Sequence, residues 1–161
     1  MPSILFVCTG NQFRSPIAAA CLSKSLTNED TLEKWTIGSA GTWIESGMSA
    51  PGVTLRLARQ LGLKGLERHR TRSISPKILE AADLIVVMEA GHKEAISIEF
   101  PAVRDRLYLL SEIAEGVAYD IPDPANPGID PDAVGQGIHE LITQGKTKIL
   151  QLAEAFSRRR T

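Results

Sequence analysis

Cysteine is scarce. Only Cys8 and Cys21 occur among 161 residues, which excludes a disulfide-stapled scaffold and a cysteine-built metal centre. The three histidines, His69, His92 and His139, are scattered without metal-type spacing, so no metal or other cofactor is expected. Long apolar runs are missing too. Residues 4–7 are too few for the apolar core of a signal peptide, no basic segment precedes them, and nothing approaches a membrane span. Nor is there a surplus of charge: a formal net charge of −1 gives no bulk attraction to nucleic acid or an anionic membrane. Local basic runs stand at 68–72 and 158–160, and the second reads as a solvated helix end rather than a nucleic-acid patch. There is no internal repeat, low-complexity stretch or linker. A single domain over residues 1–161 is expected, long enough to bury about 70% of its unfolded surface, in a reducing, cytoplasmic setting.

What is present alternates. Apolar runs of strand length at 3–7, 35–39, 84–87 and 106–110 are separated by helical stretches at 15–26, 51–61, 76–82 and 92–98. The first and third runs are continuously hydrophobic, as strands buried on both faces of a parallel sheet are. A last helix is expected over 131–156, with Ile138, Leu141, Ile142, Ile149, Leu150 and Leu152 as its stripe. Gly135, Gly137 and Gly145 weaken it and mark a potential break. The order predicts an α/β fold: a four-stranded parallel sheet flanked by helices on both faces, doubly wound. Ligands in such folds bind beyond the carboxyl ends of the strands.

At the end of the first strand stands Cys8-Thr9-Gly10-Asn11-Gln12-Phe13-Arg14-Ser15-Pro16. A thiol, five residues and an arginine on a strand-to-helix turn suit a phosphate dianion. Backbone N–H groups point inward, the helix presents its positive end, and the guanidinium fork grips two oxygens. The same donors favour Cys8 as a thiolate nucleophile. Ser15 reads as the helix N-cap and Pro16 as its first residue. Cys21 falls on that helix beside Ala18, Ala19, Ala20 and Leu22, and reads as buried packing. Cleaving a phosphate monoester also calls for a proton donor at the leaving oxygen. The stretch 119–128, with three prolines and a glycine, is a fixed loop carrying Asp120 and Asp123 as candidates.

These motifs resemble the low-molecular-weight protein tyrosine phosphatases, whose loop reads Cys-x-Gly-Asn-x-Cys-Arg-Ser-Pro. The likeness continues through Ser39-Ala40-Gly41, His69 with Arg72, residues 83–89 and Asp123-Pro124. The resemblance implies hydrolysis of a phosphorylated protein through a phosphoenzyme on Cys8, with Arg14 binding the phosphoryl group and Asp123 as general acid; Asp120 is the second choice. It implies phosphate binding by Thr9, Gly10, Asn11, Gln12, Phe13 and Ser15, and inorganic phosphate or other oxyanions as ligands. It also implies a supporting network of Asn11, Ser15, Ser39 and His69, with Ser15 donating to the thiolate. Trp43, in a loop with Gly41, Ser46 and Gly47, sits where the family has an aromatic wall, whereas Ala125 replaces the aromatic of the opposite wall. Arg72 and Asp83 are candidates for a structural ion pair.

Three positions depart from the pattern. Gln12 is neither the Ile nor the Thr that helps separate phosphotyrosine from phosphoarginine enzymes among bacterial relatives, so phosphotyrosine is the main expectation and phosphoarginine the alternative. Phe13 replaces a second cysteine, and Ala125 removes one wall. A thiol-linked arsenate reductase shares the loop but needs relay cysteines, and residues 81–91 hold none. A non-catalytic phosphate binder would need neither Cys8 nor Asp123. Gly145-Lys146-Thr147 is no nucleotide loop, because Glu140 stands where its first glycine belongs.

Overall fold

Apolar runs, continuous in the central strands, build a four-stranded sheet, and the computed structural model describes all 161 residues. Strands β1 (Ser3–Cys8), β2 (Thr36–Gly41), β3 (Leu84–Val87) and β4 (Leu107–Leu109) lie in the order β2-β1-β3-β4. All three pairings are parallel, and Cys8 lies opposite Gly41 at the carboxyl end. The chain leaves β1 for one neighbour and later returns to its other side. The crevice beyond β1 is therefore the place where such a sheet receives a ligand.

Helices cover both faces: α1 (Arg14–Asn28), α2 (Gly52–Leu61), α3 (Pro76–Ala81), α4 (Ala90–Glu99), α5 (Leu110–Glu115) and α6 (Pro131–Arg160). Alternation along β1 divides the core. Ile4, Phe6 and Cys8 pack with α1, α2, α5 and α6, while Leu5 and Val7 pack with Leu79 of α3 and Ile96 of α4. The expected doubly wound architecture is the one observed.

Several local expectations need correction. Helix α6 is unbroken over thirty residues. Two of its glycines serve close packing: a Cβ at Gly135 would fall 1.8 Å from Leu57 Cδ2, and one at Gly145 would fall 3.0 Å from the Ala114 Cβ. Helix α5 escapes sequence reading because six residues are too few to display a helical period. It starts directly from β4, with Glu112 Oε1 accepting the Leu109 N–H at 2.8 Å. Arg72 does not pair with Asp83. Its Nε donates to Ser39 O at 2.9 Å, while Asp83 takes Arg160 Nη1 at 2.8 Å and the Ser3 N–H at 2.9 Å. The basic tail is thus only partly solvated, because Arg160 ties the end of α6 to the entry of β3.

Candidate active site

The Cys8 loop links β1 to α1, and every carbonyl from Cys8 to Phe13 except that of Gly10 is taken by a protein donor. Cys8 O accepts from Thr42 N at 2.9 Å, Thr9 O from Trp43 N at 3.1 Å, and Phe13 O from Ile17 N at 3.0 Å. Asn11 O accepts from His69 Nε2 at 2.7 Å and Gln12 O from Thr54 Oγ1 at 2.6 Å. A trans peptide points its N–H opposite to its C=O. Carbonyls held outward at 8, 9, 11 and 12 therefore turn the N–H groups of Thr9, Gly10, Gln12 and Phe13 inward. No protein group accepts from the backbone N–H of any residue from Gly10 to Phe13.

Beneath the loop lies a buried polar knot. Asn11 is fully buried at φ 52°, a left-handed conformation that asparagine tolerates. Its Nδ2 donates to Ser15 Oγ and Ser39 Oγ, both at 2.9 Å, and its Oδ1 accepts the Arg72 N–H at 3.0 Å. Ser15 Oγ, having accepted from Asn11, lies 3.0 Å from Cys8 Sγ. The four members of the expected network thus stand around one turn. Gly41 is part of this fit, since a Cβ there would meet Thr9 O at 2.7 Å.

The helix start differs from expectation. Arg14 opens α1 and Phe13 is the residue before it, so Ser15 is not the N-cap and Pro16 is the third helical residue. The Ser15 hydroxyl is committed to Asn11 and Cys8, and Pro16 loses nothing because the first turn's N–H groups lack intrahelical partners anyway.

Arg14 is 2% exposed. Its Nη1 donates to Glu89 Oε2 at 2.5 Å and to Ile121 O at 2.8 Å. Its Nη2 has longer contacts, 3.4 Å to Thr9 Oγ1 and 3.4 Å to Asp123 Oδ2. One edge of the fork is anchored by short bonds, and the other makes only these longer contacts. Asp123 Oδ1 accepts the Ala125 N–H at 2.9 Å. Asp120 instead accepts the Ala90 N–H at 2.7 Å, at the start of α4. A cleft of about 230 Å³ is lined by Cys8, Thr9, Gly10, Gln12, Phe13 and Arg14 below, with Pro51, Val53, Asp123, Pro124, Ala125 and Pro131 as walls. Trp43 does not line it; its side chain is 84% exposed.

Sequence reasoning missed three residues at the site. Glu89 follows Met88 at the carboxyl end of β3, a position the ligand-end rule could have flagged. His92, 7% exposed, bonds Thr9 Oγ1 through Nε2 at 2.8 Å. Burial holds it below its ordinary value of 6.5, against the pull of Glu89. Thr54 is a buried hydroxyl on α2, with no sequence signal. Burial also pushes the Cys21 thiol up to about 12, although Lys24 draws it the other way. No three His, Cys, Asp or Glu side chains converge as metal ligands, and no helix is long and apolar enough to cross a membrane.

Comparison with known proteins agrees with this architecture. Residues 3–160 match the model of the low molecular weight phosphotyrosine protein phosphatase family. The chain is 33% identical over 122 residues to a protein-arginine-phosphatase of Geobacillus stearothermophilus, covering 75% of this chain and 77% of that one. It is 31% identical over 148 residues to the low molecular weight protein-tyrosine-phosphatase Etp of Escherichia coli K12, covering 92% and 94%. Among solved structures it resembles YwlE arginine phosphatase, in a mutant whose active-site serine replaces cysteine and is phosphorylated. The TM-score there is 0.80 at 30% identity, over 90% of this chain and 94% of that one. The chain belongs to the low molecular weight phosphotyrosine protein phosphatase family of hydrolases.

Proposed function

We propose that the protein dephosphorylates phosphotyrosine in protein substrates through a phosphocysteine intermediate on Cys8. The observation that carries this reading is the thiol 3.0 Å from the Ser15 hydroxyl, at the foot of a loop whose carbonyls, Gly10 excepted, are bonded to protein donors. Ser15 Oγ accepts from Asn11, and its hydrogen has the Cys8 sulfur at 3.0 Å and the Ala40 carbonyl at 3.4 Å as acceptors, a position from which it can serve the thiolate. Cys8 Sγ attacks phosphorus in line as the P–O bond to the leaving group breaks. The inward amides and the free edge of Arg14 take up the equatorial charge. Asp123, on the cleft wall, gives its proton to the leaving oxygen. Its carboxylate then takes a proton from the attacking water, the S–P bond breaks, and phosphate and thiolate are released.

The phosphorylated serine at the nucleophile position of the YwlE mutant supports the same transfer here. Cys21 is buried and is the only other thiol, which leaves no outward relay of the arsenate reductase kind. Two unpaired cysteines, one of them the nucleophile, fit a reducing compartment such as the cytoplasm. Trp43 stands outside the cleft, its N–H anchored on Thr9 O, and offers its ring to the substrate polypeptide beyond the phosphorylated side chain.

A second reading, phosphoarginine, is favoured by the arginine phosphatase relative and by walls of Pro51, Val53, Pro124, Ala125 and Pro131 that supply no aromatic ring to flank a phenyl group. The test is a side-by-side measurement of kcat/KM on phosphotyrosine and phosphoarginine peptides, with Cys8→Ser as control. The phosphotyrosine reading expects the higher value on phosphotyrosine. A reversed preference would assign the second reading, and phosphate binding without turnover of either would leave a non-catalytic binder.

A further inference from the structure

His92 stands outside the family motif, yet it is buried against the anion loop with one ring nitrogen bonded and the other, Nδ1, without a hydrogen-bond partner. That asymmetry identifies its tautomer. An unpartnered buried N–H is rarer and costlier than an unpartnered acceptor lone pair. The hydrogen therefore sits on Nε2, where Glu89 Oε2 at 3.5 Å also attracts it. A second proton would have to go on Nδ1, which has no acceptor. Burial keeps the ring neutral with help from the Arg14 charge, against the pull of Glu89, Asp120 and Asp123.

The consequence passes to Thr9. Its Oγ1 receives the Nε2–H at 2.8 Å and faces Arg14 Nη2 at 3.4 Å. Both contacts use oxygen lone pairs, so the hydroxyl hydrogen must point elsewhere. Thr9 lines the cleft, and no protein group accepts from its hydroxyl. We infer that His92 is a positioning residue that fixes the Thr9 hydroxyl as a hydrogen-bond donor to the phosphoryl group held by the loop. The site then has a side-chain donor besides its amides and Arg14. This inference rests on the anion-binding half of the proposed function and not on turnover.

Titration calorimetry with inorganic phosphate tests it, alongside p-nitrophenyl phosphate hydrolysis. Thr9→Val and His92→Leu should each weaken phosphate binding about tenfold, the scale of one hydrogen bond to a charged group. The double variant should be no weaker than either single one, because both changes remove the same donor. Thr9→Ser and His92→Gln, which keep the hydroxyl and an N–H, should recover most of the loss. Wild-type affinity in Thr9→Val or His92→Leu would overturn the inference, and so would losses that multiply in the double variant. If His92→Leu does not fold, the Thr9→Val and Thr9→Ser pair decides by the same criterion. Failure of the wild-type protein to hydrolyse the aryl phosphate while still binding phosphate would sink the phosphatase reading and leave this inference standing.

Discussion

The Cys8 loop and the Asp123 loop meet at one cleft but are held in different ways. Every peptide from Cys8 to Phe13 except that of Gly10 has its carbonyl tied, and Asn11 knots the turn to Ser15, Ser39 and Arg72 from below. The acid loop is tied mainly at its entrance, where the Ile121 N–H reaches Met88 O and Ile121 O receives Arg14. Beyond that point Asp123 has only local turn contacts, accepting the Ala125 N–H at Oδ1 and the Asn126 N–H at its carbonyl, and the 3.4 Å approach of Arg14. An anion seat works by preorganisation, so its dipoles must not relax when charge arrives. A proton donor has to reach leaving groups of different size, and a lightly tethered loop suits that task. The buried arginine joins the two, anchored to the entrance of one loop and lining the floor of the other.

The comparison can be broken from either side. The largest effect should come from Cys8→Ser, which should abolish turnover while phosphate still binds, as calorimetry would report. Asp123→Asn comes next. It should slow kcat by about 10²- to 10⁴-fold on poor leaving groups and far less on p-nitrophenyl phosphate, with phosphate affinity kept. A flat response across a leaving-group series would transfer the acid role to Asp120. Asn11→Ala strikes the rigid side, stranding the Arg72 N–H and two serine hydroxyls. It should cost about 3 kcal/mol of stability in urea melts and weaken phosphate binding along with turnover. Stability lost with binding untouched would mean that the knot does not shape the seat.

Two smaller effects sharpen the picture. Mild peroxide should drive Cys8 past sulfenic acid, because Phe13 removes the neighbouring thiol and Cys21 is buried with its thiol held up near 12. Full recovery in dithiothreitol would contradict that. His92 gives the smallest signal. Its native value lies below that of the unfolded chain, so the unfolded chain binds the proton first. Its stability contribution is whole above pH ~6.5 and is lost as pH falls from there through the native value. His92→Gln should flatten this acid limb of melting temperature against pH; an unchanged limb would exclude His92 as its source.

Much of this was legible in the chain. Cys8, Asn11, Arg14 and Ser15 lie in one contiguous motif, Ser39 and His69 were reached only through the family resemblance, and the centre of the sheet follows from the uninterrupted apolar runs of β1 and β3. His92 and Thr54 were not legible, because each meets the loop only through the packing of α4 and α2; Glu89 stood where the ligand-end rule points, but its partner Arg14 is distant in sequence. Ser15 misled as a helix cap for a related reason: its hydroxyl has a tertiary partner that sequence spacing does not reveal. The glycines of α6 misled in the same way, since Leu57 and Ala114 are distant in sequence and close in space.

The central claim is that the phosphoryl group passes through Cys8. Asp123→Asn protein mixed with p-nitrophenyl phosphate and quenched in acid tests it directly, since the variant should release the aryl group but hydrolyse the intermediate slowly. Peptide mass spectrometry should then find one added phosphoryl group, on the peptide carrying Cys8 and absent in the Cys8→Ser, Asp123→Asn double variant. Product released at full wild-type rate with no phosphoryl group on Cys8 would contradict the account.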